Sequence, residues 1–282
     1  MSSHAELPPA LSGISRHLFL SPHYDDVPLS AGATVRLLAD SGLSPETLIV
    51  FGSEPDHAAP LSAFAEAMHQ GWGVSATDVI ACRRAEEDAA AAVLGSRSSV
   101  LPFRDAIYRG DSYLSDDDLF GTPAEAEAFL AEAIVTTLDP GDRPDPAARF
   151  YAPLAVGRHV DHQIAFQAGQ ILANRGWDVW FYEDVPYALK PDALDTRLAE
   201  IAVDTKIEAG AIIDAGPGWE RKIDAILRYP SQLGTVFREY VGVGTSRAEI
   251  DAALRAYATR VGDGVLRERF WRIPHAASRL GC

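Results

Sequence analysis

Two short segments hold the residue types best suited to metal and proton chemistry. SPHYDD places His23 beside Asp25 and Asp26, and GRHVDH groups His159, Asp161 and His162. Zinc takes imidazole nitrogen and carboxylate oxygen as ligands, and a catalytic zinc keeps one position open for water. His23 and Asp26 can supply two ligands, which leaves Asp25 to face the water as a general base. His159 and His162 stand three positions apart and can face one small volume. Asp161 can orient one of them by accepting its ring N–H. Three protein ligands and a water suit zinc, and a histidine left over would serve acid or oxyanion work. Iron or cobalt fits the same nitrogen and oxygen donors. Each acid also has a purely structural use, because Asp26 and Asp161 sit where helices begin and an acidic side chain there caps free N–H groups. The two segments together make the stronger case, since a metal site gathers ligands from separate parts of a chain.

Both segments follow an apolar run and precede a helical pattern. HLFL, from His17 to Leu20, reads as a buried strand. The helix after it has Pro28 in its first turn, where a missing N–H costs nothing, and Leu29, Ala33, Leu37 and Leu38 on one face up to Gly42. A second strand is expected from Thr47 to Phe51, a short helix from Ser62 to His69, and a clear helix over TDVIACRRAEEDAAAAVLG, closed by Gly95. SVLPF reads as a strand, and a helix is expected from about Pro123 to Pro140. RFYAPLAV is a strand leading into the second segment, with a helix from Val160 to Asn174 behind it. VWFYEDVPY reads as strand and loop, residues Glu220 to Arg228 as a helix, and RERFWRI as a last strand. Alternating strands and helices predict an α/β fold, with a Rossmann-like, mostly parallel sheet and helices on both faces. In such sheets ligands bind outside the C-terminal ends of the strands, where both segments fall. One domain is expected over residues 1–282, with residues 1–16 a flexible arm.

Composition narrows the partners. Forty acidic against 25 basic side chains leave a net charge of -15, which speaks against phosphate-held nucleic acid and against an anionic membrane surface. No apolar stretch is long enough to cross a bilayer. The first sixteen residues lack a basic start and an apolar core of a signal peptide, so a cytoplasmic protein is expected. Cys82 and Cys282 form no metal-type pair. Cys82 is expected as a buried helical thiol and Cys282 as a loose one. The oligomeric state stays open, a homo-oligomer included. There is no G-x-G-x-x-G turn after the first strand and no G-x-S-x-G elbow.

With these residues in place the sequence resembles the LmbE-like, or PIG-L-like, zinc-dependent N-deacetylases of N-acetylglucosamine conjugates. That family has a histidine-proline-aspartate-aspartate motif after its first strand and a later histidine-x-aspartate-histidine motif. The resemblance implies His23, Asp26 and His162 as zinc ligands and Asp25 as general base. It implies His159 as the group that stabilises the oxyanion and protonates the leaving nitrogen, with Asp161 supporting it. Arg83 and Glu86, on the helix ending in Leu94-Gly95, look like a further family element, with Arg83 reaching either the substrate or a surface partner. Asp105 lies where many members hold a sugar hydroxyl, and RKIDAILRYPSQL resembles a lysine-bearing helix followed by serine-glutamine. FYEDVPYAL resembles a segment shared by one branch. Tyr24, Val27 and Val160 depart from the motifs, and Tyr24 is expected to alter the rim and the sugar preference. The implied activity is hydrolysis of an N-acetyl or N-acyl group from a small glycoside or glycoconjugate. The alternatives are an O-deacetylase or non-sugar amidase on the same metal site, or a noncatalytic sugar-binding protein. Two long segments, from Gly52 to Thr77 and from Arg104 to Thr122, carry Phe64, Met68, His69, Trp72, Tyr108, Tyr113 and Phe120. Such side chains either stack on a substrate or pin the loops.

Overall fold

A computed structural model of the chain describes residues 7–274 apart from 57, 59, 76, 77 and 142. The strands are β1 (Arg16–Ser21), β2 (Glu46–Ile49), β3 (Arg97–Val100), β4 (Ala148–Pro153), β5 (Asp178–Tyr182), β6 (Glu208–Asp214) and β7 (Arg267–Arg272). They form one sheet in the order β3-β2-β1-β4-β5-β7-β6. The first five pair in parallel, and β7 pairs antiparallel with both β5 and β6. The expected α/β class and mostly parallel sheet are therefore present.

Strand residues alternate between two apolar layers. Leu20, Phe150 and Phe181 pack with Ile134, Ile164 and Leu172 from the helices Leu130–Leu138 and Val160–Asn174. Phe19, Tyr151 and Trp180 point the other way, to Val35 and Leu38 of the helix Asp26–Asp40 and Leu94 of the helix Val79–Leu94. All six residues of β4 are buried, as a central parallel strand covered on both faces requires.

Chain order reverses at the middle of this sheet. From β1 the chain moves outward to β2 and β3, then returns to β4 on the other side. The gap beyond the C-terminal ends of β1 and β4 is the topological switch point, where open α/β sheets bind ligands.

Several elements differ from the sequence expectation. Of the expected arm, residues 1–6 lie outside the described residues, but Leu11 is fully buried and the Ala10 carbonyl accepts from Arg149 Nη1 at 2.7 Å. The helix expected from Pro123 begins only at Leu130, after a tight turn at Glu125–Glu127. There Glu127 turns inward, accepting from Arg109 Nε at 2.7 Å and from the Tyr113 hydroxyl at 2.7 Å, and these bonds outweigh helix propensity. Cys82 is a free, half-buried thiol, and Cys282 lies outside the described residues. No described helix is long and apolar enough to cross a membrane.

The helix Asp26–Asp40 is kinked, with non-helical angles at Ala31. The N–H groups of Ala33 and Thr34 turn instead to the Glu268 carboxylate of β7, at 3.1 and 2.8 Å. Lys222 Nζ bonds the same carboxylate at 2.7 Å and the Ser30 carbonyl at 3.2 Å. Gly32 leaves room for this lysine, since a Cβ there would stand 3.1 Å from Lys222 Cγ. The lysine of the late helix (Trp219–Ile226) thus lies under the kink and serves the fold.

Candidate active site

The loop after β1 carries His23 and Asp25, and Asp26 begins the helix behind it. The loop after β4 carries His159 at the N-cap of the helix Val160–Asn174, with Asp161 and His162 in its first turn. Because β1 and β4 are neighbours, these six residues meet at the switch point. All six are buried. His23, Asp25, Asp26 and His159 line a cleft together with Arg83 and Asp105.

Two carboxylates behind the site fix how the rings point. His162 Nδ1 donates to Asp184 Oδ1 at 2.6 Å, so in the neutral ring the lone pair is on Nε2. That nitrogen is buried without a hydrogen-bond partner and lies 3.4 Å from Asp26 Oδ2. His23 Nε2 donates to Asp161 Oδ2 at 3.0 Å, and its Nδ1 faces the same Asp26 oxygen at 3.4 Å. Zinc ligands at about 2.0–2.1 Å in a tetrahedron stand roughly 3.3–3.4 Å from one another. Asp26 Oδ2 therefore stands at ligand-like spacing from one nitrogen of His23 and one of His162. The nitrogens of His23, His159 and His162 also lie within 4.8 Å of one another, as do donors of His23, Asp105 and Asp161.

Electrostatics favour positive charge at this point. Burial would lower the His162 pKa, but Asp26, with hydrogen bonding to Asp184, outweighs it and carries the group up to about 9. Burial would raise Asp26, and His162 beside it holds it well below the carboxylate range instead. A divalent cation would answer the same carboxylates with neutral rings as ligands. The donor set is of the zinc type.

Asp25 has a different setting. Its Oδ1 accepts from Arg83 Nη2 at 3.1 Å. Burial raises its pKa, Arg83 restrains the rise and Asp26 adds to it. Arg83 is itself buried, so it is no surface partner. His159 accepts the Asp161 backbone N–H at Nδ1, 3.2 Å away, so the proton of the neutral ring sits on Nε2. Burial first, and then His23, holds its pKa well below the usual value. A neutral imidazole with a free N–H in a cleft is an oxyanion donor.

Two sequence expectations need correction. Asp161 supports His23 rather than His159, because Arg109 Nη1 at 2.7 Å and the Ala106 N–H at 3.0 Å draw its carboxylate to that side. The capping bond at that helix comes from the His159 ring, not from Asp161. Tyr24 is not on the rim. It is 1% exposed and its hydroxyl donates to the Gly52 carbonyl at 2.7 Å.

Sequence reasoning missed Asp184 and Arg109 as supports. The Asp184 signal was an acid two positions after the strand β5, which neighbours β4. Its Oδ2 also accepts the Val156 N–H at 2.9 Å, tying the β4 loop to β5. In that loop Ala155 and Arg158 take left-handed angles, a local strain of the kind that gathers at functional sites. Gly157 is obligatory there, because a Cβ would approach the Tyr187 ring to 2.6 Å.

The two long segments are folded over the cleft. Met68, Trp72, Ile107 and Leu119 line it, opposed by Tyr187, Val236 and Tyr240. Phe120 packs edge-on to His159 and Tyr240 at 5.5 and 5.2 Å. Tyr113 is 2% exposed and only pins its loop. Asp105 is buried and reaches to 3.6 Å from His23 Nε2.

No family model matches the chain. The 2'-N-acetylparomamine deacetylase of Niallia circulans is 34% identical over 190 residues, covering 60% of this chain and 66% of that protein. The 2'-N-acetylparomamine deacetylase of Streptomyces fradiae is 33% identical over 191 residues, covering 64% of this chain and 61% of that one. The chain thus spans just under two thirds of the length of these curated relatives. The crystal structure of the antimicrobial A40926 pseudoaglycone deacetylase superposes with a TM-score of 0.67 at 26% identity, covering 94% of this chain and 99% of that one. The chain belongs to the LmbE-like, PIG-L-like deacetylase family. Its His/Asp cluster is consistent with the catalytic site of a zinc-dependent hydrolase of that family.

Proposed function

We propose that the protein is a metal-dependent deacetylase that hydrolyses the N-acetyl group of a 2-acetamido sugar held within a larger conjugate. The carrying observation is the unpartnered, buried His162 Nε2 beside Asp26, with Asp25 and the His159 N–H facing the adjoining cleft. His23, Asp26 and His162 would hold the ion. When bound, zinc supplies Lewis acidity to the amide carbonyl and to the attacking water.

The chain's own groups account for the rest. Asp25 accepts a proton from the water as it attacks the acetyl carbon, and Arg83 keeps the carboxylate aimed. The His159 Nε2–H donates to the carbonyl oxygen as negative charge grows on it. When the C–N bond breaks, the nitrogen takes a proton and leaves as a free amine, with acetate as the second product. Asp25 returns the proton it took from the water to that nitrogen, so His159 keeps its Nε2 proton and stays neutral. Aromatic and aliphatic walls from Trp72, Met68, Leu119 and Tyr240 suit the apolar face of a sugar ring. The relatives, deacetylases of 2'-N-acetylparomamine and of the A40926 pseudoaglycone, support an acetylated conjugate as the substrate.

Two measurements test this. Purified protein should carry about one divalent ion per chain, and His162→Ala should lose most of it. Incubation of the metal-loaded protein with N-acetylglucosaminyl conjugates should release free amine, with kcat/KM above that for the free sugar because remote contacts add to transition-state binding. Full metal content in the His162 variant would remove the ligand set. No amine from any acetamido conjugate would remove the activity.

A further inference from the structure

The helix Val79–Leu94 turns three charged residues toward the site, Arg83, Glu86 and Glu87, at positions that share one helical face. Arg83 meets Asp25 directly. Glu86 accepts the N–H and hydroxyl of Ser231, next to the cleft residue Gln232. Glu87 has no such obvious duty. It is 2% exposed and makes no ion pair among the described residues.

Among the described residues its carboxylate has one hydrogen-bonded neighbour, the Tyr229 hydroxyl, 2.5 Å from Glu87 Oε2. That hydroxyl also lies 3.1 Å from the Tyr24 carbonyl oxygen. A phenol has a single proton to donate, and a carbonyl has none. Both contacts are full hydrogen bonds only if Glu87 carries a proton and donates it to the Tyr229 oxygen. Tyr229 is then free to donate to Tyr24, whose carbonyl belongs to the peptide bond leading into Asp25. An ionised Glu87 would claim the Tyr229 proton for itself and leave the Tyr24 carbonyl without a donor.

We propose that Glu87 is held as a neutral acid and acts, through Tyr229, as a positioning residue for the Tyr24–Asp25 peptide. The assignment of Asp25 as base rests on the function proposed above, whereas the protonation of Glu87 does not. The surroundings agree with a neutral acid. Burial raises the Glu87 pKa to about 8, the Tyr229 contact opposes the rise, Asp25 and Asp88 add to it, and Arg83 lowers it. Arg83 is spoken for by Asp25, and from the segment after the helix Trp219–Ile226 the group in contact is the neutral Tyr229.

The first test needs no substrate. A carboxyl whose pKa is raised on folding, here from 4.5 to about 8, contributes stability that is present below pH 4.5 and lost as pH rises through about 8. Glu87→Gln keeps the shape and a donor but cannot ionise. The denaturant midpoint of the wild type should therefore fall relative to E87Q between these two pH values and run parallel to it above. Parallel curves throughout would overturn the neutral acid.

The second test reads the base, on whichever acetamido conjugate releases amine. Tyr229→Phe should lower kcat by roughly 3–10-fold, the loss of one hydrogen bond, with KM and metal content unchanged. The ratio of E87Q to wild-type kcat should rise above about pH 8, as the wild-type chain of bonds breaks. Wild-type kcat in Y229F, or a flat ratio, would overturn the positioning role. A wild type inactive on every conjugate would sink the activity and leave the stability result standing.

Discussion

Two buried clusters of charge sit at opposite ends of one short stretch of helix, and they are built on different principles. Under the kink, Lys222 and Glu268 are closed. The carboxylate accepts from Lys222, from the Ala33 and Thr34 N–H groups and from the Thr34 hydroxyl, and the ammonium adds the Ser30 carbonyl. At the helix start the cluster is open. His162 Nε2 is left without a hydrogen-bond partner, and so are Trp72 Nε1 and Arg83 Nε in cleft-lining residues. Buried polar groups are normally satisfied, and one that is not asks for an explanation. The kink cluster has its hydrogen bonds within the fold, whereas the switch-point cluster leaves donors and acceptors that the proposed ion and substrate would meet. Charge and burial do not separate structure from function here. Saturation does.

The contrast can be broken by substitution. The largest effect is expected at the open end. Asp25→Asn should lower kcat by about 10²–10⁴-fold, the usual share of a general base, with the metal retained by elemental analysis. Loss of the ion in that variant would mean that Asp25 and Asp26 exchange roles. At the closed end, Lys222→Met leaves a buried carboxylate without its cation. It should destabilise the fold by about 3–5 kcal/mol in denaturant titrations and leave metal content per folded chain unchanged. A K222M protein with wild-type stability would show that the pair is not needed under the kink. The smallest effect sharpens the boundary between the two. Asp184 is satisfied, yet it serves an open group. Asp184→Ala should weaken metal affinity by about 10–100-fold, measured by competition with a chelator. Unchanged affinity would place Asp184 with the closed scaffold.

How far the sequence led follows from the same contrast. The two segments were legible because strand, turn and helix are local patterns, and His23, Asp26 and His162 are the residue types a metal needs. Their supports were not. Arg109 and Glu127 meet Tyr113 and Asp161 across a folded loop. Asp184 reaches His162 only because β5 lies beside β4. Asp161 was seen, but its partner was taken from its own segment, and the fold supplies one 138 positions away. The edge strand β6 escaped notice because it is half exposed and interrupted at Gly210, where the ladder to β7 shifts register.

The kink also has a history in the life of each molecule. Ala33 and Thr34 find their acceptor on Glu268, more than 230 positions later. A ribosome delivers the helix long before the strand that completes it. Until Arg267–Arg272 has emerged and paired, the turn that presents Asp25 and Asp26 lacks its far anchor, however well the first five strands have docked. Contacts this distant in sequence are slow to close, so the turn that presents Asp25 and Asp26 should be set only after the first five strands have assembled.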